Sequence, residues 1–230
     1  MQDINPFAEG KMILINKPLT WTSFQAIKKV RWLVKTKKVG HAGTLDPLAT
    51  GLLIICTGKF TKKINEYMGM EKEYTGTITI GATTSTFDLE KEPENIKDIS
   101  HITQEQIIAT TQQFIGNILQ MPPQHSAIKK DGKRLYETAR LGIEVKVDAR
   151  SVTIKEFTIT KIEGANISFK VVCGTGTYIR SLANDFGAAL GVGGYLSKLC
   201  RTRIGVFTLE NATTIEAFEK QFEVDKAVDI

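Results

Sequence analysis

Apolar and polar positions change period along this chain, and the changes mark out its elements. MILI at 12–15 is a short apolar run and predicts a buried strand. TSFQ at 22–25 has the spacing of a capping box and opens a helix on which Phe24, Ile27, Val30 and Val34 recur on one face. The other face of that helix points a basic cluster outward. GLLIICTG at 51–58 is apolar without interruption and reads as a buried strand, after which FTKKINEYM at 60–68 is helical. KEYTGTITIG at 72–81 alternates, with Tyr74, Gly76, Ile78 and Ile80 on one side, as a half-buried strand does.

Further on, TQEQIIATTQQFIG at 103–116 begins with a second capping box and keeps a helical period, with Gly116 in a C-cap role. The pattern then breaks at QMPPQHSAIKKDGKR (120–134), where two prolines, a DG turn and clustered cations predict a projecting loop or hairpin, followed by a short helix, RLYETARLG. RSVTIKEFTITKI (150–162) and ANISFKVVC (165–173) alternate and are joined by EG, a β-hairpin. A glycine turn and a helix follow in GTGTYIRSLANDFGAALG (174–191), and TTIEAFEKQF (213–222) predicts a terminal helix. Strands joined mostly as hairpins, with helices between some of them, favour an α+β fold over a doubly wound sheet.

Composition bounds the chemistry. With 230 residues, 42% of them hydrophobic, the chain can bury a proper core, and it contains no apolar run of membrane-spanning length. The start, MQDINPFAEG, lacks the features of a secretory signal, so a soluble protein that is not exported is expected. Cys56, Cys173 and Cys200 form no C-x-x-C pair, and they read as reduced thiols of a cytoplasmic protein. His41, His101 and His125 are far apart and have no metal-ligand spacing. Thirty Lys and Arg against 25 Asp and Glu leave a formal charge of +5, and the cations cluster at 28–38, 129–134 and 198–203 while acids gather at 89–94. A one-sided basic surface suited to a polyanion is the expectation.

Candidate catalytic residues are few. GTGTYIR lacks both the G-x-G-x-x-G and the G-K-[ST] forms of a phosphate loop. Tyr178 and Arg180 are two apart, which on a strand or strand end puts a ring and a guanidinium on one face. HAGTLDPLATGL at 41–52 is more telling, because Asp46 is its one acid among small and apolar residues, with glycines on either side and Pro47 next to it. No second carboxylate and no Ser/His companion lies nearby, so neither a glycosidase pair nor a hydrolase triad is spelled out. A carboxylate on a stiff turn before a buried strand suits an aspartate held rigidly, kept ionised and shielded from bulk water. Arg180 is the candidate counter-charge.

Taken together, four stretches resemble the TruB family of tRNA pseudouridine synthases. GHAGTLDPLATGLLIICTGKFTK (40–62) is similar to its signature around the catalytic aspartate, KEYTGTITIGATTSTFDLE (72–90) to its next motif, QMPPQHSAIKKDGKRLYETAR (120–140) to its RNA-gripping thumb, and GTGTYIRSLANDFG (174–187) to its arginine motif. The resemblance implies the pseudouridine synthase fold, a central, mixed and mainly antiparallel sheet with flanking helices and an RNA-binding cleft. It implies a catalytic domain over 1–205, including a thumb-like insertion at about 121–142, and a short extension at 206–230 in place of a further RNA-binding domain. The activity implied is conversion of uridine 55 in the T-loop of tRNA to pseudouridine, with no cofactor and no metal, by a cytoplasmic monomer whose partner is the T-arm of tRNA.

Residue by residue, Asp46 takes the catalytic position as nucleophile, Tyr74 that of the ring on the target base, and Arg180 that of the partner of the aspartate. Tyr178 and Leu199 match pocket-lining positions, His41 the residue that occupies the gap left by a flipped base, and Lys62 a cation near the cleft. Lys17 lies in NKP, like a short N-terminal family motif, while Asn16 and Leu19-Thr20-Trp21 depart from that motif. Lys129, Lys130, Arg134 and Arg201 are the expected RNA-contacting cations. Attack on the base, attack on the sugar and removal of a sugar proton are all open to Asp46. A protein that binds RNA without catalysis, and a synthase acting on another RNA, are the alternatives.

Overall fold

A computed structural model describes the backbone of residues 5–123, 129–130, 133–134 and 147–227, with side chains for 5–123 and 147–222. The chain is α+β, with a mixed open sheet and flanking helices. In chain order the strands are β1 (Met12–Lys17), β2 (Val39–Ala42), β3 (Ala49–Thr57), β4 (Lys72–Ile80), β5 (Gly116–Gln120), β6 (Lys129–Lys130), β7 (Lys133–Arg134), β8 (Arg150–Glu163), β9 (Asn166–Cys173), β10 (Gly194–Ile204), β11 (Phe207–Thr208) and β12 (Thr213–Thr214). The α-helices are α1 (Pro6–Glu9), α2 (Ser23–Leu33), α3 (Ile64–Gly69), α4 (Gln104–Thr110), α5 (Ile179–Ala189) and α6 (Ile215–Ala227). Residues cluster into two compact units, 1–74 with 199–230, and 75–198.

In the first unit β3 is the central strand. It pairs antiparallel with β1 along one edge, and its other edge is shared between β2, antiparallel at its end, and β10, parallel at its start. Leu53 and Ile55 pack on one face with Ile13, Ile15, Ala26, Ile27, Val30 and Leu33, and Ile215 and Phe218 of α6 join them. Leu52, Ile54 and Cys56 pack on the other with Ala42, Tyr67 and Ile204. A strand covered on both faces has no polar side to show, which is why GLLIICTG carries no alternation.

α2 begins as expected, with Thr22 as the N-cap accepting from Gln25 N and Gln25 reaching back to the Thr22 amide. Its buried face differs from the expectation at one position. Ser23, Ala26, Ile27, Val30 and Leu33 are buried, whereas Phe24 is 59% exposed and lies under the Lys28 ammonium at 5.2 Å. The helical step from Ala26 and Ile27 leads back to Ser23, and the 100° turn beyond it carries Phe24 outward.

The second unit holds the predicted hairpin. β8 and β9 pair antiparallel from Ile154↔Cys173 to Glu163↔Asn166, with Gly164 at φ 56° in the turn and β5 on the far edge of β8. Phe114, Phe157, Phe169 and Phe186 make its aromatic core, Phe157 and Phe186 with ring centroids 5.4 Å apart. The helical period from 103 ends sooner than expected. α4 stops at Thr110, a 3-10 turn covers Thr111–Phe114, and Gly116 opens β5 at φ 97°. A glycine at positive φ after a helical run serves a turn into a strand as readily as a C-cap.

In the 121–142 region, β6 and β7 pair antiparallel, Lys129 with Arg134 and Lys130 with Lys133. His125, the side chains of Lys129, Lys130 and Arg134, and the helix expected from RLYETARLG lie outside the described residues. Among the described residues no helix is long and apolar enough to cross a membrane.

Candidate active site

Asp46 sits in the connection between β2 and β3, and its immediate neighbours are tied down. Ser23 Oγ accepts from Leu45 N at 2.8 Å and donates to Leu45 O at 3.0 Å. On the other side Thr20 N donates to Pro47 O at 2.9 Å, and the Asp46 carbonyl accepts from Ala49 N at 3.1 Å. Arg201, 1% exposed, reaches in from β10. Its Nε donates to Leu52 O at 2.8 Å and its Nη2 to Gly43 O at 3.0 Å, so one guanidinium joins β3 to the start of the Asp46 loop.

Asp46 and Arg201 both act on Lys17 here. Lys17 is fully buried and donates from Nζ to Pro18 O at 2.9 Å and to Trp21 O at 2.5 Å. Burial holds its ammonium down to about 8, with Asp46 opposing the drop and Arg201 adding to it. His41, whose Nε2 lies 3.1 Å from Thr44 Oγ1, is lowered from its usual value first by burial and then by Arg201, which favours a neutral ring. The buried Lys17 thus feels both the Asp46 carboxylate and the Arg201 guanidinium. Leu199 enters the same neighbourhood through its parallel pairing with Ala49 and its carbonyl bond from Thr50 Oγ1 at 3.3 Å. Tyr74 is buried in β4, and Lys62 is exposed on the 3-10 turn Gly58–Lys63.

Lys17 gives a pH-dependent test. Its folded pKa of about 8 lies below the ordinary 10.5, so between these values the unfolded chain holds the extra proton and stability rises with pH. That contribution is present above the unfolded value and lost as pH falls through 8. The thermal midpoint of the wild type should therefore gain more between about pH 7.5 and about pH 9.5 than that of Lys17→Met. Parallel pH curves for the two proteins would show that the ammonium is not held down.

The second unit places Tyr178 and Arg180 otherwise than on a strand. Tyr178 is the extended N-cap of α5 and Arg180 the second residue of that helix. A period of two does not apply where the chain has already entered a helix. Gln120, buried at the end of β5, holds the Tyr178 peptide from both sides, accepting from its N at 2.7 Å and donating to its O at 3.1 Å. Arg180 is buried, with Nε 3.7 Å from Asp88 Oδ2 and Nη1 donating to Thr86 O at 3.3 Å. Asp88 was not singled out in the sequence, although FDLE stands within the second matching motif.

Of the cations at 198–203, Lys198 is exposed, Arg201 is spent on backbone carbonyls, and Arg203 pairs with Glu71 at 2.8 Å and Glu73 at 3.8 Å. In the sequence Ser23 stands out only as part of a capping box, and Thr20 only within the stretch that departs from the N-terminal family motif. Among the described residues no group of three or more His, Cys, Asp or Glu could hold a metal ion.

Comparison with known proteins shows the family. Residues 31–179 match the model of the TruB family pseudouridylate synthase N-terminal domain, and residues 180–229 that of the tRNA pseudouridylate synthase B C-terminal domain. The chain is 53% identical over 224 residues to tRNA pseudouridine synthase B of Flavobacterium johnsoniae, covering 94% of this chain and 98% of that one. It is 46% identical over 232 residues to the protein of the same name from Phocaeicola vulgatus, covering 97% and 99%. Its fold is similar to a chain in a Cbf5-Nop10-Gar1 complex, with a TM-score of 0.76 at 28% identity over 97% of this chain and 57% of that chain. A chain of an H/ACA RNP bound to a substrate RNA containing 2'-deoxyuridine gives a TM-score of 0.73 at 25% identity, over 97% and 56%. This chain thus spans somewhat more than half the length of those two solved chains. The aspartate loop, the order of the motifs and these matches together show that the chain belongs to the TruB family of pseudouridylate synthases.

Proposed function

We propose that this chain isomerises uridine 55 in the T-loop of tRNA to pseudouridine, using Asp46 as the essential carboxylate. The observation that carries the proposal is the Asp46 loop itself, pinned on both sides of the aspartate, with the buried Lys17 within its electrostatic reach and Arg201 bonded to the loop's Gly43 carbonyl. The relatives named tRNA pseudouridine synthase B support tRNA as the substrate.

The reaction breaks the bond from the ribose to N1, forms one to C5, releases the C5 proton and returns a proton to N1. No water is consumed, so the detached base has to be kept and turned in a dry pocket. Extruding the uridine costs a few kcal/mol, and stacking on an aromatic ring returns roughly 1–3 kcal/mol per base. Tyr74 is the ring assigned to that contact, with Leu199 as an apolar wall. An ionised Asp46 meets the needs of attack on the base, attack on the sugar, or removal of a sugar proton. Arg180 keeps the role its motif gives it.

Phosphate contacts belong to the basic 121–142 region and to the outward face of α2 and its extension, where Lys28, Arg31, Lys35, Lys37 and Lys38 are exposed. Binding supported by such contacts weakens steeply with salt. Three cysteines outside any disulfide suit a reducing cytoplasm.

Release of tritium from C5-labelled uridine in a T-arm hairpin tests the proposal. The expected result is one release per pseudouridine formed, with the hairpin and full-length tRNA used about equally well. A protein that binds the hairpin and releases nothing would overturn the assignment to the T-loop.

A further inference from the structure

The hydroxyl of Ser23 does something that helix capping does not require. Thr22 already serves as the N-cap of α2, so Ser23 is free to turn inward, where it is 2% exposed. There its one oxygen satisfies both peptide groups of Leu45, a residue that belongs to no strand and otherwise lacks a regular partner for them. Two residues further along, the Pro47 carbonyl is held by the Thr20 amide. Thr20 makes that bond at φ 68°, a left-handed conformation that a β-branched residue adopts only under strain. The segment 20–23 therefore grips the peptide on each side of Asp46, and both grips come from a part of the chain more than twenty residues away.

We propose that Ser23 is a positioning residue for catalysis, fixing the Asp46 carboxylate through the Leu45 peptide. The inference rests on the function proposed above. A buried hydroxyl that only filled space would be replaced by alanine at no cost to chemistry. One that sets the aspartate's position controls the rate, because a displacement of about 1 Å at a reacting group can cost about a hundredfold. RNA binding, which draws on phosphate contacts over a wider surface, should hardly notice.

Single-turnover pseudouridine formation and hairpin affinity, measured side by side on the full chain, test this. Ser23→Ala should slow the chemical step about tenfold or more while changing affinity by less than about twofold. Ser23→Thr keeps the oxygen and should recover most of the rate. Thr22→Ala weakens the start of the same helix without touching the Leu45 peptide, and should leave the rate near that of the wild type. An unchanged rate in Ser23→Ala, equal losses in the Ser23 and Thr22 alanine variants, or a Ser23→Thr protein as slow as the alanine variant would each overturn the inference. A Ser23→Ala chain that does not fold would overturn it too, by assigning the hydroxyl to the core. A wild type that makes no pseudouridine would instead remove the function on which the inference rests.

Discussion

Asp46→Asn should form pseudouridine more than about a thousandfold more slowly than the wild type while still binding T-arm RNA. The amide is nearly the same size as the carboxylate, and the loop that holds it is built from main-chain bonds to Ser23 and Thr20 that the change leaves intact. Geometry is thereby conserved and charge alone is removed. Each of the three chemical routes open to Asp46 needs its negative oxygen, so the loss should fall on the chemical step. A second consequence is electrostatic. Asp46 raises the pKa of Lys17 against the pull of burial, so Asp46→Asn should push the ammonium below its present value of about 8. Titration of Lys17 by nitrogen-detected NMR, together with the single-turnover rate, checks both effects. An Asp46→Asn protein that keeps more than about a tenth of the rate would remove Asp46 from the centre of the chemistry.

Gly51→Ala should be the most damaging change to the fold in this region. Gly51 lies in β3 at φ 103° and pairs on one edge with Lys17 and on the other with Arg201. A methyl group there would stand 2.3 Å from Arg201 O and 2.7 Å from Arg201 N, so β10 has to move away from β3. Arg201 would move with it and release Leu52 O and Gly43 O. Backbone strain and the lost pairing together should cost more than about 3 kcal/mol. Gly176→Ala supplies the comparison, since Gly176 also has positive φ, at 84°, but open space around it. Its cost should stay near 1–2 kcal/mol, roughly the backbone penalty alone. Urea unfolding of both variants separates the two effects, and equal costs would show that the approach to Arg201 carries no weight.

Much of the architecture was written in local periods. The uninterrupted run at 51–58, the alternation at 72–81 and the paired strands at 150–173 all appear as strands because burial on one or two faces acts directly on every residue of a strand. Chain ends of helices were harder. Phe24 looked like part of the buried stripe of α2, yet a serine one residue earlier takes the inward position. Gly116 looked like a cap and instead starts a strand. Tyr178 and Arg180 stand two apart as on a strand, while the helix begins between them.

Within the site, Asp46 was legible because a lone acid among glycines and apolar residues is unusual. Its supports were not. Ser23 and Thr20 act through backbone groups far away in sequence, as Gln120 does at the Tyr178 peptide, and neither composition nor spacing records which peptide will be held. Arg201 was legible as a cation, but its burial and its bonds to Leu52 and Gly43 depend on strand register.

The distribution of thiols along the strands has a practical consequence. Cys56 and Cys173 are buried, and burial pushes the Cys56 thiol up to about 11, so little of it is present as reactive thiolate near neutrality. Cys200 is partly exposed in β10, between Leu199 and Arg201, and strand alternation turns it to the opposite face from both. Maleimide chemistry on the unmodified protein is therefore directed to one position. A fluorophore attached there sits one residue from Leu199, the proposed apolar wall, without pointing into its side of the strand, so arrival of RNA at the proposed site should change its emission.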